Sequence, residues 1–480
     1  MSQIEQDISS QERLEQLGYK QELNRTLSAK ANVALSVANV SPVMAVFLFA
    51  LAPLALAGTA TAAGAIILTI VVFFNSLVLA ELAGSYPVSG GLYSFVRHIL
   101  PKPLAFIVVF NFLIQALVFP PPIALGVGTY LQILFPQLPQ TSFATSVIAA
   151  IVLMLAMLIG LKNIGTSTKV TVALLVIQVV ILFAFIIGGF ANAQHSLTSV
   201  IMQPVMLGEN GTPLIAASMG IVFMSLGSTF AVINGYDASL GFAEETKGPS
   251  RKLAYAVIAS AIIAGVGITV PILASMVGAP NLQDYLSATS PLMYTATATL
   301  GKVGSTFVNI GVLVASFAAL EVIIIYMARV LYTTGRDRIW PDSINALLTK
   351  VSAKEKTPWV ATMVISVASL ILVFASSLVA LITFVGVLVA SVYMLIAIGA
   401  IINRTKRPDE YRPFKMPFYP LPAVIVTLFT AFVIFSQSIK DISLTGLFCA
   451  LSLAYYYLYI KPRTAREIKQ KGSDSINLKD

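Results

Sequence analysis

The stretch INGYD at residues 233–237 breaks a long uncharged run, and this position decides how the fold is interpreted. The twenty residues before it, 213–232, carry no charge, which is typical of a segment inside a membrane. Asn-Gly favours a turn and weakens helix continuity, and an aspartate follows directly after Tyr236. Inside lipid, such a break is tolerated only where it faces protein or a water-filled cavity. The stretch therefore predicts a membrane helix that is interrupted near its middle.

A second interruption lies in the first apolar segment, in SVANVSPVMAVF at residues 36–47. Pro42 has no N–H and clashes with the preceding turn, while Asn39 and Ser41 can hydrogen-bond to freed backbone groups. Secondary transporters often contain inverted repeats whose first helices are broken at mid-membrane. The two interruptions occupy equivalent places if spans 1–5 and 6–10 are two repeats. This pattern favours a solute site between spans 1 and 6, with ordinary helix kinks as the alternative.

The composition agrees with a polytopic membrane protein. Of the 480 residues, 57% are hydrophobic and 11% are charged, whereas soluble domains average about 25% charged residues. The apolar run at 357–403 is too long for one helix, so we divide it at ASS, residues 375–377. We interpret the uncharged stretches as twelve spans, near 31–57, 60–84, 104–134, 143–161, 170–193, 213–243, 253–278, 303–334, 358–377, 379–402, 416–439 and 442–460.

The basic residues predict the orientation of these spans. With a cytoplasmic N-terminus, all Lys and Arg residues except Lys302 and Lys440 fall on the cytoplasmic side or at cytoplasmic span ends. One miscounted span would scramble this alternation. The net charge of +9 is therefore a topology signal, and we expect attraction to the lipid bilayer rather than nucleic-acid binding. Both termini are expected in the cytoplasm, with the protein in the cell membrane.

The segments outside the membrane domain are short. Residues 1–30 are expected to form a solvated or interfacial cytoplasmic tail, with contact to a transport gate as the alternative. Residues 462–480 form a charged C-terminal tail. One Cys and two His leave almost no ligands for a His/Cys metal centre, and no GxxxxGK[ST] suggests a nucleotide-driven pump. No nucleophile–base constellation is present either, so we expect neither an enzyme nor a cofactor.

Several stretches resemble the amino acid–polyamine–organocation superfamily of secondary transporters. Their order and spacing extend from residue 17 to residue 417. The tail is similar to that of amino acid/choline-type and some amine-transporting members, and amine importers have Pro-containing versions of the first break. The stretches that carry the resemblance are LGYKQELNRTLS (17–28), AELAGSYPVSGGLYSFV (80–96), GYDASLGFAEETKGPSRKL (235–253), ARVLYTTGRDRIWP (328–341) and RPFKMP (412–417).

The resemblance implies an all-α fold of five plus five inverted helices with two additional C-terminal helices. The transporter domain would cover residues 31–461, with repeat one at about 31–193, repeat two at about 213–402 and the extra helices at about 416–460. In the family, unwound span 1 commonly receives a substrate carboxylate and span 6 its amine. This mapping gives substrate-binding candidates at Asn39, Ser41, Pro42, Val43, Ile233, Asn234 and Gly235.

Four further residues are candidates for coupling or gating. Some proton-coupled relatives carry a lysine in span 5, where this chain has Gln178, which cannot exchange a proton. Glu321 lies within span 8, so it is interpreted as a protonation or cation site, a contact for a cationic substrate, or a buried structural group. Asp237 would either cap the second half of span 6 or sense protonation. Tyr236 is a gating candidate, with packing as the alternative.

These features predict a permease for an amino acid or small amine that works by alternating access and is coupled to H⁺ or Na⁺. Glu321 favours a cationic amine, whereas the amino acid/choline-like tail favours amino acids or their decarboxylated relatives. An exchanger of amino acids or polyamines is the first alternative. A channel or a transporter-like sensor is a remote one, because a channel needs a continuous polar pore and the sequence offers two local breaks.

Overall fold

The computed structural model describes residues 10–16, 27–87, 91–162, 168–208, 213–355 and 357–466. Much of the predicted N-terminal tail and residues 467–480 of the predicted C-terminal tail lie outside these ranges. Within the described residues, nine helices are long and apolar enough to cross a membrane, and two shorter apolar helices accompany them. This confirms the predicted class, an all-helical polytopic membrane protein.

The first part of the chain is helical from the N-terminal segment onward. A π-helical turn at Ala45–Phe49 and a short 3₁₀ turn at Gly58–Ala60 connect some of its helices. The helices are α1 (Ser10–Gln16), α2 (Ala29–Val40), α3 (Pro42–Met44), α4 (Leu51–Ala57), α5 (Thr61–Ser85), α6 (Leu92–Ile99), α7 (Lys102–Val118), α8 (Pro120–Leu134), α9 (Ser142–Leu161), α10 (Thr168–Ala191) and α11 (Leu197–Met202).

The second part contains the two described strands, β1 (Val205–Met206) and β2 (Ile215–Ala216), which pair antiparallel. A 3₁₀ helix at Tyr236–Phe242 and a π-helical turn at Tyr456–Ile460 complete it. The helices are α12 (Met219–Val232), α13 (Arg251–Val277), α14 (Leu282–Ser287), α15 (Pro291–Arg336), α16 (Asp342–Leu348), α17 (Trp359–Ala375), α18 (Leu378–Lys406), α19 (Leu421–Phe435) and α20 (Ile439–Tyr455).

Local sequence signals explain many helix ends. Several helices begin at a Ser or Thr whose hydroxyl accepts a hydrogen bond from the first-turn backbone, which satisfies one of the four unpaired N–H groups. The division that we placed at residues 375–377 coincides with the end of α17 and the start of α18. The capping residues are Ser28, Thr141, Ser196, Ser218, Ser377 and Ser438.

One predicted span start is wrong. Span 6 was expected to begin at residue 213, but Ile215 and Ala216 pair with β1, so α12 begins at Met219. Span 8 was expected to begin at residue 303. Helix α15 begins at Pro291 but is interrupted at Gly301, where φ is 70°, so its longer second piece begins close to the predicted residue. Glycine adopts this left-handed region without a steric cost, so a second helical piece precedes the predicted span.

The middle of the molecule is packed by close approaches between helices. α5 runs along α13, α12 lies against α18, and α15 contacts α8, α10 and α3. A Cβ atom at Gly386 of α18 would overlap the backbone of Gly227 in α12, so only glycine permits this spacing. The π-helical turn at Ala45–Phe49 is buried and contacts both α12 and α15, so the first broken segment packs against the second inside the core.

Helix α1 contacts the helical body through Arg13, while its other described side chains are exposed, so the solvated or interfacial tail stays a prediction. Arg13 is only 7% exposed. It donates to the Ser85 carbonyl oxygen at 2.9 Å and forms an ion pair with Glu410 at 2.8 Å. Glu410 also accepts a 2.8 Å hydrogen bond from Tyr86. Burial and this carboxylate raise the pKa of Tyr86 to about 12, so its hydroxyl stays a donor at neutral pH.

The segment before α2 is paired with the segment that follows the 3₁₀ helix. The Leu27 N–H donates to the Glu245 carbonyl oxygen at 2.9 Å, and the Lys247 N–H donates to the Leu27 carbonyl oxygen at 2.8 Å. The buried Asn32 amide adds hydrogen bonds to the Ser239 carbonyl oxygen and the Thr246 hydroxyl. The beginning of the first broken segment is therefore fastened to the end of the second.

Candidate functional site

The first interruption occurs at Ser41, between α2 and α3. Ser41 has φ 48° and ψ 73°, in the left-handed region, and its N–H donates to the Ala38 carbonyl oxygen at 3.0 Å. Pro42 then begins α3, a position where its missing N–H and fixed φ suit a helix start. The backbone therefore leaves the right-handed helical conformation for one residue, within the predicted NVSP stretch.

The second interruption separates α12 from the 3₁₀ helix that begins at Tyr236. Gly235 has φ 101° and ψ −6°, a conformation that favours glycine. Among the described residues, none donates a hydrogen bond to the Ile233 or Asn234 carbonyl oxygen. Unpaired carbonyls inside an apolar protein are costly unless a ligand or water satisfies them. These two oxygens are therefore the acceptors that the site offers.

The two interruptions contact each other. The Asn39 side-chain amide donates to the Gly235 carbonyl oxygen at 3.3 Å. A Cβ atom at Gly235 would lie 3.0 Å from the Asn39 amide nitrogen and 3.5 Å from the Val40 Cα. The structure thus brings together predicted residues that are separated by 196 positions in the chain.

Gln178 of α10 binds the first interruption from another side. Its side-chain oxygen accepts hydrogen bonds from the Ser41 hydroxyl at 3.2 Å and from the Val43 N–H at 3.3 Å. The Ser41 hydroxyl also lies 3.4 Å from the Ala315 carbonyl oxygen in α15. Gln178 is buried, so a neutral amide holds the start of α3 between α10 and α15.

The second interruption is held by two residues that the sequence interpretation missed. The Tyr393 hydroxyl of α18 donates to the Asn234 side-chain oxygen at 3.0 Å. The Asn75 amide of α5 donates to the Tyr236 hydroxyl at 2.6 Å, and the rings of Tyr236 and Tyr393 have centroids 6.1 Å apart. A polar side chain in an otherwise apolar span was the available signal for both residues.

Asp237 is in the first turn of the 3₁₀ helix that follows Gly235. The residue at the helix start is Gly235 itself, so no side chain caps it there. A carboxylate in the first turn is favoured by the partial positive charge of a helix N-terminus. The hydroxyls of Tyr393 and Tyr326 are electrostatic neighbours of Asp237. Its negative charge is therefore placed beside the second interruption.

Glu321 is not brought to either interruption. It follows Ala315, which contacts Ser41, by six residues, and at about 100° per residue its side chain projects from a different face of α15. Ile325, on the same face as Glu321, approaches Gly160 of α9. Glu321 is 9% exposed, and its carboxylate forms no hydrogen bond or ion pair with a described residue. Its coupling role stays a prediction.

A buried ionic cluster lies at the end of α5. Glu81 forms ion pairs with Arg404 at 3.0 Å and with Arg412 at 3.3 Å, and accepts a hydrogen bond from the Met416 N–H at 2.6 Å. Charges of both signs in a buried position stabilise one another only when they are paired in this way. The cluster joins α5 to α18 and to the connection before α19.

The family model described as amino acid permease matches residues 30–457. The chain belongs to this family. The match includes both interruptions, Gln178 and Tyr393, and it confirms the resemblance found in the sequence motifs. Family members are membrane transporters rather than enzymes, so transport is the function class of this chain.

Individual relatives are distant but cover most of the chain. The branched-chain amino acid permease BcaP of Bacillus subtilis is 25% identical, over 80% of this chain and 82% of its own length. The low-affinity putrescine importer PlaP of Escherichia coli is also 25% identical, over 83% and 86%. The serine/threonine exchanger SteT of Bacillus subtilis is 23% identical, over 80% and 84%. Their names describe a permease, an importer and an exchanger.

Proposed function

We propose that this chain is a secondary transporter that moves an amino acid or a small amine by alternating access. The contact between the two interruptions supports this proposal. Asn39 of one broken segment reaches Gly235 of the other, and unwound backbone inside a membrane protein exposes groups that can bind a solute. The names of BcaP and PlaP indicate the two substrate classes.

The proposed architecture is twelve spans in two inverted repeats of five, followed by two extra helices. Ala29–Ser85 has 57 residues and contains α2 to α5, which is enough for two crossings of about 20 residues each. The shorter helices α17 and α19 would account for two more crossings. Both termini are then cytoplasmic in the cell membrane, in agreement with the distribution of Lys and Arg.

The proposed substrate site consists of Asn39, Ser41, Pro42, Val43, Ile233, Asn234 and Gly235. We propose that H⁺ or Na⁺ drives transport and that Glu321 is the coupling group, because its buried carboxylate has no partner among the described residues. Exchange of two substrates is the second candidate, since SteT is named as an exchanger and Gln178 carries no exchangeable proton.

Uptake by the purified full-length protein in proteoliposomes tests this function. Labelled putrescine and leucine would be offered with a proton gradient, a sodium gradient, preloaded unlabelled substrate, or no gradient. A transporter driven by an ion accumulates one substrate above its electrochemical equilibrium, and an exchanger requires preloading. A channel or a sensor accumulates neither substrate above its electrochemical equilibrium under any of these conditions.

The Asn234→Leu variant tests the position of the site. It removes the side chain that accepts from Tyr393, so uptake should fall at least tenfold while expression and thermal stability are retained. The Asn192→Leu variant is a matched control, because Asn192 bonds to Gly188 of its own segment rather than to either interruption. Normal affinity in Asn234→Leu would remove this residue from the site.

A further inference from the structure

The two interruptions create two new helix starts, and the protein's own groups occupy both of them. A helix N-terminus attracts anions because its first N–H groups are unpaired and its dipole is positive there. In a transporter of this fold, such starts are where a substrate carboxylate could bind. Whether these positions are free therefore determines which substrates the site accepts.

At the first start, the N–H groups of Ser41 and Val43 are committed. The Ser41 N–H donates to the Ala38 carbonyl oxygen, and Pro42 has no N–H. The Val43 N–H donates to the Gln178 side-chain oxygen. A carboxylate arriving here would have to displace a buried amide that also accepts from the Ser41 hydroxyl. Displacing it would leave the Gln178 oxygen without a donor, which is costly in a buried site.

At the second start, the position already holds a carboxylate. Asp237 lies in the first turn of the 3₁₀ helix, so a second carboxylate would meet a like charge in a medium of low dielectric constant. The start of this helix is therefore unsuitable for an anionic substrate. The same Asp237 attracts a cation.

No basic side chain compensates for this negative charge. The central parts of the broken segments contain the acidic Asp237 but no Lys or Arg. The gaps in the sequence without Lys or Arg are 31–96, 170–246, 303–328 and 357–403. The site thus combines a negative field with acceptor groups, the Ile233 and Asn234 carbonyl oxygens. An ammonium group carries three donors and suits both features.

We propose that the substrate is an amine cation without a carboxylate beside the amino group, and that Gln178 and Asp237 are the specificity-determining residues that exclude α-amino acids. This inference rests on the proposed function, since it assumes that substrate binds between the two interruptions. Gln178 acts by occupying the Val43 N–H, and Asp237 acts by its charge.

The test compares each amine with the amino acid from which decarboxylation would produce it. Binding to the purified full-length protein would be measured by calorimetry for putrescine and ornithine, cadaverine and lysine, and isobutylamine and valine. In every pair that binds, the amine should bind at least tenfold tighter. Amino acids that bind as tightly as their amines would overturn the inference and leave the transport function intact. If neither member of any pair binds, the proposed function itself is contradicted.

Two variants assign the discrimination to residues. Gln178→Ala frees the Val43 N–H, and Asp237→Asn removes the charge with little change of shape. Each variant should lower the ratio of amine affinity to amino acid affinity at least fivefold. In Gln178→Ala the amino acid should bind more tightly, and in Asp237→Asn the amine should bind more weakly. Gln132→Ala is the control, since this buried glutamine bonds to Pro139 and Thr145 instead. Unchanged preferences in both site variants would overturn the assignment, and Asp237→Asn decides it if Gln178→Ala does not fold.

Discussion

Replacing Tyr393 by Phe should weaken substrate binding, because it removes one hydroxyl that holds the second interruption. The hydroxyl donates to the Asn234 side-chain oxygen at 3.0 Å. Leaving an acceptor without its donor costs about 1–3 kcal/mol when it is buried. Asn234 is only half-buried, so we expect the lower part of this range, about 1–2 kcal/mol, which corresponds to a roughly 5- to 30-fold loss of affinity.

The measurement is the KM for uptake in proteoliposomes, together with the maximal rate. KM should rise within this range while the maximal rate changes less, since the phenyl ring of the introduced Phe still packs beside Tyr236. Tyr285→Phe is the matched control, because Tyr285 is as fully buried and its hydroxyl bonds to Ser275. An unchanged KM in Tyr393→Phe would refute the reasoning, and an equal rise in both variants would indicate a general loosening of the helices.

Three further predictions concern charge and packing. Glu321→Gln should abolish or alter the dependence of uptake on pH or sodium, whereas Asp284→Asn, at an exposed position of α14, should not. An unchanged ion dependence in Glu321→Gln would exclude the coupling role. Glu81→Gln leaves two arginines without their shared carboxylate, so it should destabilise the protein by about 3 kcal/mol and lower its unfolding temperature in a thermal-shift assay; retention of the wild-type temperature would contradict this. Gly386→Ala should lower the free energy of unfolding by about 1–3 kcal/mol, because the new methyl group overlaps the backbone of Gly227. Gly446→Ala meets no atom within 4 Å, so its unfolding temperature should stay unchanged. Equal effects of the two substitutions would rule out the close approach as the cause.

Much of the helical framework could be predicted because it depends on local properties. Uncharged stretches, helix-capping hydroxyls and the division at residues 375–377 are visible in any window of the sequence. Pro42 and the Asn234–Gly235 pair also act locally, since a missing N–H and a preference for positive φ interrupt a helix wherever they occur. For this reason the sequence indicated both places where the backbone leaves the helix.

The partners of the interruptions could not be predicted, because they come from remote parts of the chain. Tyr393 is 159 residues from Asn234, and Asn75 is 161 residues from Tyr236. Each residue is visible as a polar side chain in an apolar span, but the sequence does not show which remote residue it bonds to. The start of span 6 was misplaced for the same reason: Ile215 is apolar and fits a span, but its pairing with Met206 removes it from the helix.

The pairing of Leu27 with residues 245–247 has a mechanical consequence. Two backbone hydrogen bonds and the Asn32 amide join the start of the first broken segment to the end of the second. A motion that separates these ends would have to break all of these hydrogen bonds. Between the two interruptions themselves, the bond from the Asn39 side chain is the only one among the described residues. The joined ends of the two segments are therefore expected to move together as one unit. The two interruptions, which share a single hydrogen bond, can separate around a solute.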